Sequence, residues 1–272
     1  MTLAYWVNGE RDGAVSPFDR GLHYGDGLFE TMRVVDGRIR LLDQHLGRLG
    51  AGCERLAIAR PPAALLLAEL HEAARIPTAG VVKLIVTRGS GGRGYRAPES
   101  PATTRWIAAY PPPDHAALWA QHGVDVRFCT TVLSEQPALA GLKHLNRLEQ
   151  VCARNEWSGA KPQEGLMLDA HGRVVCGTMS NLFAIRGGIW ATPRIDRCGV
   201  AGTMRATILQ AARAAGKTCV EVDLDRSDVE DADELFLTNA VVGAWPVRSL
   251  EGLPSGAPGA VRLAQGWIRS LS

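Results

Sequence analysis

Lysine is scarce in this chain: of its 30 basic residues only Lys83, Lys143, Lys161 and Lys217 are lysines. Neither sign of charge dominates. With 30 basic against 28 acidic residues the formal net charge is +2, which gives no strong field for nucleic acid or an anionic membrane, so a small-molecule ligand is expected. The six cysteines, at 53, 129, 152, 176, 198 and 219, lie more than twenty residues apart and form neither a Cys-x-x-Cys pair nor a Cys/His cluster. That spacing speaks against a metal site, and reduced, mostly buried thiols are expected. No apolar run approaches membrane-spanning length, and "MTLAYWVNGERDG" turns polar too soon for a signal-peptide core. A cytoplasmic protein is expected. Internal repeats and low-complexity tracts are also lacking.

What is present suits a folded chain of one or two domains: 272 residues, 46% hydrophobic and 21% charged. Two-residue turns, Asn8-Gly9, Asp36-Gly37 and Gly187-Gly188, separate short apolar segments. They predict antiparallel hairpins, because these residues accept the positive φ of a tight turn. Helical periodicity marks 41–56, 62–74, 143–157 and 203–216. Pro111, Pro112 and Pro113 interrupt the chain after the strand-like "RWIAAY", and "HGVDVRFCTTVL" begins a second, strand-rich half. The expected division is a smaller α/β domain, 1–113, and a larger β-rich domain, 114–272, carrying Lys143.

Several motifs invite chemistry. Gly89, Gly91 and Gly94 form a literal G-x-G-x-x-G after the apolar run "VVKLIV". A dinucleotide turn needs a helix directly after the glycines, whereas "YRAPESPATT" follows, with Pro98 and Pro101. A plain hairpin loop and a binding loop presenting Arg93 and Tyr95 both remain open. "GKT" at 216–218 fails as a P-loop, since Ala211 stands where glycine is required. Gly199 and Gly202 precede a helix whose first amides, around Thr203 and Met204, suit a phosphate, although a simple glycine-containing helix entry explains them too. Lys143 opens the helical pattern 143–157, where the positive end of the helix dipole would lower an ammonium pKa; spacing alone equally fits a solvated helix-start lysine.

In order along the chain, "YGDGLFETMRV" (24–34), "RGSGGRGY" (88–95), "LAGLKHLNRLEQV" (139–151), "SNLFAI" (180–185) and "CGVAGTMR" (198–205) resemble the motifs of the aminodeoxychorismate lyases. These are fold-type IV pyridoxal-phosphate enzymes, alongside branched-chain and D-amino acid aminotransferases. The resemblance runs to "TNAVVGAWPV" (238–247). It implies an α+β, two-domain D-amino acid aminotransferase-like fold with a β-barrel-like larger domain, and a homodimer. It implies that Lys143 binds pyridoxal 5′-phosphate covalently and then shuttles protons. Arg48, on the helix bearing His45, corresponds to the phosphate-binding arginine, and Gly202, Thr203, Met204, Asn239, Ala240 and Val241 to phosphate-binding turns. Arg93 and Tyr95 correspond to loop residues that bind substrate carboxylate, often in the other subunit.

The implied reaction releases pyruvate from 4-amino-4-deoxychorismate and leaves p-aminobenzoate, a step of folate biosynthesis fed by aminodeoxychorismate synthase. Thr31 is a candidate hydroxyl for proton delivery. Transamination of a D-amino acid, a branched-chain amino acid or an amine is the alternative. One position departs from the pattern. Relatives carry a glutamate five residues before the asparagine of "SNLF", where it keeps the pyridine nitrogen protonated, and here that residue is Cys176.

Overall fold

The computed structural model describes residues 2–271. By its contacts the chain forms two compact units: one holds the residues up to Pro113 together with Leu142–Asn146, the other Asp114–Gly141 and the residues from Arg147 onward.

The first unit is built on six strands, β1 (Ala4–Val7), β2 (Glu10–Arg11), β3 (Gly27–Val35), β4 (Arg38–Ile39), β5 (Gly80–Thr87) and β6 (Thr104–Tyr110), with helices α1 (Arg20–Tyr24), α2 (Leu42–Arg55) and α3 (Ala63–Ala74). The strands run in the order β2-β1-β6-β5-β3-β4, antiparallel throughout. Asn8-Gly9 and Asp36-Gly37 make the expected hairpin turns, all four residues at positive φ. Strand alternation sends Leu28, Glu30, Met32 and Val34 of β3 to a buried face. Leu46, Leu49 and Cys53 of α2 and Leu66 and Leu70 of α3 are buried with them. Each such apolar side chain stabilises the unit by about 1.5–3 kcal/mol relative to exposure. The opposite face carries Phe29, Thr31 and Arg33.

The second unit carries β7 (Val124–Leu133), β8 (Glu164–Asp169), β9 (Val174–Gly177), β10 (Asn181–Arg186), β11 (Ile189–Pro193), β12 (Cys219–Val222), β13 (Glu234–Asn239), β14 (Gly243–Leu250) and the short β15 (Leu253–Pro254). Its helices are α4 (Ala116–His122), α5 (Leu148–Arg154), α6 (Thr203–Ala214), α7 (Arg226–Glu230) and α8 (Ala260–Arg269). The sheet order is β12-β11-β10-β13-β14-β7-β8-β9, with β15 beside β14. The two ends meet where Val174 of β9 bridges Leu224, just past β12. This curls the sheet into the expected barrel-like form around Val124, Phe128, Leu166, Leu182, Leu237 and Trp245. The α+β fold class is as expected.

One expected helix is cut short. The pattern 143–157 folds as α5 only from Leu148 to Arg154. Residues 143–145 instead run as a strand along the edge of β3 that β4 leaves uncovered: Phe29 N–H donates to Lys143 O at 2.9 Å, Leu145 N–H to Gly27 O at 3.0 Å, and Leu28 bridges His144. Backbone groups satisfied by a sheet edge have no need of a helical turn. Lys143 therefore belongs to the first unit and not, as its sequence position suggests, to the larger one. No helix starts at Lys143, so the dipole argument for its pKa does not apply.

Candidate active site

The geometry around Lys143 follows from that edge pairing. Its Nζ lies 4.3 Å from the centroid of the Phe29 ring, on the sheet face opposite the α2 packing. Thr31, two residues on, leaves β3 on this same face and pairs with Lys83 of β5. The amine and the hydroxyl predicted from sequence are thus carried by neighbouring positions of one strand edge.

Beneath them, on the buried face, lies an ionic cluster. Glu30, only 1% exposed, accepts from His45 Nδ1 at 2.6 Å and Arg48 Nε at 2.8 Å, and also from Arg48 Nη2. Burial pushes the Glu30 carboxyl up, but the hydrogen bonds and charges of His45 and Arg48 outweigh it, and the carboxyl is held below its ordinary value. Burial pushes His45 down, and although Glu30 pulls it up, Arg48 and Lys143 add to the lowering. A neutral His45 donates from Nδ1, while its buried Nε2 has no partner. Glu30 therefore fixes one edge of the Arg48 guanidinium, which fits the planar fork that phosphate oxygens require.

The glycine loop joins β5 to β6, with no helix after it. Gly89, at φ 87°, could not carry a side chain without striking Ala102 O. The loop's path is set by Arg20, which is buried and donates to the carbonyls of Gly94 at 3.1 Å, Tyr95 at 2.8 Å and Arg96 at 3.4 Å. Asp26 accepts from Arg20 Nε at 2.8 Å and Arg88 Nε at 2.8 Å. Arg88 in turn donates to Leu56 O and Ala57 O at the end of α2. Burial raises the Asp26 carboxyl, but hydrogen bonds from Arg88 and Arg20 prevail and lower it. Arg93 and Tyr95 are exposed on this loop, Tyr95 packing edge-on against Tyr24.

In the second unit, Asn181 and Thr238 pair at one end of the sheet, and the predicted turns gather there. Glu164, fully buried, accepts from Thr178 N–H and Oγ1 and from Ser180 Oγ, shaping the approach to Asn181. Asn181 Nδ2 donates to Val200 O at 2.9 Å, and at Gly202 a Cβ would strike Asn181 Oδ1. Gly202 is the N-cap of α6 and gives no side-chain cap, and the buried Thr203 Oγ1 lacks a hydrogen-bond partner. An uncapped start of a 12-residue helix with an orphaned hydroxyl suits an anion. Met204 is buried in the same turn. At the neighbouring turn, Asn239 Oδ1 accepts from Val241 N–H at 3.0 Å and Val242 N–H at 2.8 Å. The Val241 amide, expected to face a phosphate, is thus bound by its own loop.

Cys176 packs in an apolar cluster with Cys129, Leu133, Met167 and Cys198. Burial foremost, then the neighbouring Cys198 and Glu164, pushes its thiol up to about 12, so it is neutral. Arg147 is the positive charge acting on it.

Sequence reasoning overlooked Glu30, Glu164, Arg20 and Asp26. The signal for Glu30 was its place on the apolar register of β3, between Leu28 and Met32. Among the described residues no group of His, Cys, Asp and Glu is arranged for a metal.

The family model described as Amino-transferase class IV matches residues 27–250. An aminodeoxychorismate lyase of Vibrio harveyi is 34% identical over 90% of this chain and 91% of its own. The branched-chain-amino-acid aminotransferase of Escherichia coli is 27% identical over 92% of this chain and 86% of its own. The crystal structure of 4-amino-4-deoxychorismate lyase from Pseudomonas aeruginosa superimposes with a TM-score of 0.93 at 47% identity, covering 98% of each chain. A lysine fixed on the free edge of β3, an arginine braced by buried Glu30 and an uncapped α6 are thus set in a fold shared along nearly the whole chain, which belongs to the class IV aminotransferase family.

Proposed function

We propose that this protein is a pyridoxal-phosphate-dependent lyase that converts 4-amino-4-deoxychorismate to p-aminobenzoate and pyruvate, a step of folate biosynthesis. The observation that carries the reading is Lys143, held by backbone bonds to β3 with its amine over Phe29, together with the likeness to the Pseudomonas aeruginosa enzyme.

The residues present fit the cofactor. In the first unit Lys143 Nζ would be the attachment point, and Arg48, braced by Glu30, suits a phosphate; in the second unit the first turn of α6, with the orphaned Thr203 Oγ1, suits a phosphate as well. Asn239 and Ala240 belong to the second phosphate-binding turn. Pyridoxal phosphate, when bound, supplies an electron sink for the carbon next to the substrate amine. Lys143 Nζ, as a neutral amine, takes the proton from the amine-bearing ring carbon. The electron pair moves into the ring, the C–O bond to the enolpyruvyl group breaks, and the leaving enolate gains a proton to become pyruvate; the ring is left aromatic. Thr31, on the same face of the sheet, would deliver a proton through Oγ1. Arg93 and Tyr95 bind a substrate carboxylate.

The active form is a homodimer. The apolar side chains of Phe18, Leu22 and Tyr95 are 66%, 71% and 86% exposed in the first unit, and the Gly91 amide ties their segments together through Phe18 O. A second copy covering them brings its own loop with it. No helix among the described residues is long and apolar enough to cross a membrane. The substrate would be made by an aminodeoxychorismate synthase in the cytoplasm.

Cys176 deepens the reading. A buried neutral thiol supplies no charge to a pyridine nitrogen, so this site suits an elimination driven by aromatisation better than a transamination. Cys176→Glu is expected to raise transamination of an amino acid with a 2-oxo acid by about tenfold, the factor that one pKa unit at that nitrogen represents, with pyruvate release little changed. A wild type that transaminates as well as the variant ends this argument.

The test of the function itself is release of p-aminobenzoate and pyruvate from enzymatically generated 4-amino-4-deoxychorismate, with the cofactor and no 2-oxo acid. Equimolar products are expected. Turnover only with a 2-oxo acid acceptor points to the aminotransferase, and a loaded protein that turns over neither to a binding role.

A further inference from the structure

The stretch "YGDG" (24–27) sets an aspartate between two glycines, and the reaction as described leaves Asp26 unused. Its neighbours lie against the segment that carries Lys143. A Cβ at Gly25 would strike Asn146 Oδ1, and one at Gly27 would crowd the Leu145 side chain at 2.9 Å. Leu145 N–H donates to Gly27 O at 3.0 Å. The backbone on both sides of Asp26 is thus in close register with residues 143–146, an approach that only glycine allows.

The Asp26 carboxylate joins two arginines. Arg88 donates to it from Nε at 2.8 Å and Nη2 at 3.0 Å, and its backbone N–H donates to Asp26 O at 3.0 Å. Arg20 donates to it from Nε at 2.8 Å. Among the described residues it is the one carboxylate in an ion pair with either arginine. With its Nε edge taken by Asp26, Arg20 turns its terminal nitrogens to the glycine loop, Nη1 to the carbonyls of Gly94 and Arg96 and Nη2 to that of Tyr95. A guanidinium is planar and rigid, so an acceptor fixed on one edge sets the direction of the other donors. The aim of Arg20 at the loop is therefore decided at Asp26.

We propose that Asp26 is a positioning residue which, acting through Arg20, sets residues 94–96 of the glycine loop and ties that loop to the segment bearing Lys143. Its effect on turnover rests on the reading of Arg93 and Tyr95 as groups that bind a substrate carboxylate. Its effect on the loop rests on the hydrogen bonds alone.

Trypsin reads the loop directly. Arg93 and Arg96 are exposed on it, and Arg186, exposed at the end of β10 in the second unit, is the control site. In the native, pyridoxal-phosphate-loaded protein, Asp26→Asn is expected to speed cleavage after Arg93 and Arg96 about tenfold, the size of a charge-assisted hydrogen bond, with cleavage after Arg186 unchanged. KM for 4-amino-4-deoxychorismate is expected to rise by a similar factor, with a smaller change in kcat, because backbone bonds hold Lys143 in place. Arg20→Lys keeps the charge opposite Asp26 but lacks the fork that spans three carbonyls, and it is expected to match Asp26→Asn in both measurements. Since the two residues act as one device, the double variant is expected to be little worse than either single variant.

Wild-type cleavage of the loop in Asp26→Asn overturns the proposal, and so do effects that add in the double variant. Should Asp26→Asn fail to fold, Arg20→Lys carries the test by itself, and wild-type cleavage in it is equally fatal. A loosened loop with KM unchanged upholds Asp26 as the residue that sets the loop and sinks the carboxylate-binding reading of Arg93 and Tyr95. If no pyruvate is released at all, the lyase reading fails and the cleavage rates still decide the proposal.

Discussion

Lys143→Ala is expected to lower pyruvate release by at least about 10⁴-fold, since the one side chain serves as both nucleophile and proton carrier. The fold should be almost untouched. What holds residues 143–145 to β3 is backbone hydrogen bonding, which alanine preserves, so the urea midpoint should stay close to that of the wild type. Lys143→Arg sharpens the test: a guanidinium keeps the positive charge but cannot act as a neutral amine at neutral pH. An equally large loss in both variants assigns the role to amine chemistry. Activity of Lys143→Arg within tenfold of wild type would leave only an electrostatic role for Lys143.

Glu30→Ala is the second large effect, and it falls on stability. The substitution strands His45, fully buried, and Arg48, mostly buried, without the carboxylate that both hydrogen-bond. Removing one partner of a buried ionic cluster costs about 3–5 kcal/mol, a large share of the ~5–15 kcal/mol that holds a domain together. Urea unfolding of Glu30→Ala and Glu30→Gln measures it, with glutamine expected to lose less because it keeps the volume and one acceptor.

The pH dependence has a definite sign. The Glu30 carboxyl is lowered from its ordinary 4.5, so its contribution is fully present above pH 4.5 and is lost as pH falls below that toward the folded value. His45 is lowered from 6.5; its contribution is present above pH 6.5 and likewise fades as pH falls. The stability gap between wild type and Glu30→Gln should therefore narrow on acidification. A gap that widens below pH 4.5 would mean that the carboxyl is not held in its charged form.

Local chemistry made much of the fold legible. Asn8-Gly9 and Asp36-Gly37 announced their hairpins through the φ values that these residues tolerate, and the apolar stripes of α2, α3 and α6 appeared within two residues of their expected bounds. The segment 143–147 was illegible for a physical reason. Its helical periodicity is real, but the uncovered edge of β3, more than a hundred residues earlier, decides its conformation. Long-range pairing of this kind leaves no mark on the segment itself. Cys176 could be singled out only by resemblance, and its burial among apolar neighbours came from the structure.

The grip of Arg20 on the glycine loop has an evolutionary corollary. It holds the carbonyl oxygens of residues 94, 95 and 96, which every amino acid possesses. The side chains at those positions can be exchanged while the curve of the backbone is retained. Substrate preference can thus drift one residue at a time on a loop whose shape is guaranteed from outside it, by an arginine on a different element.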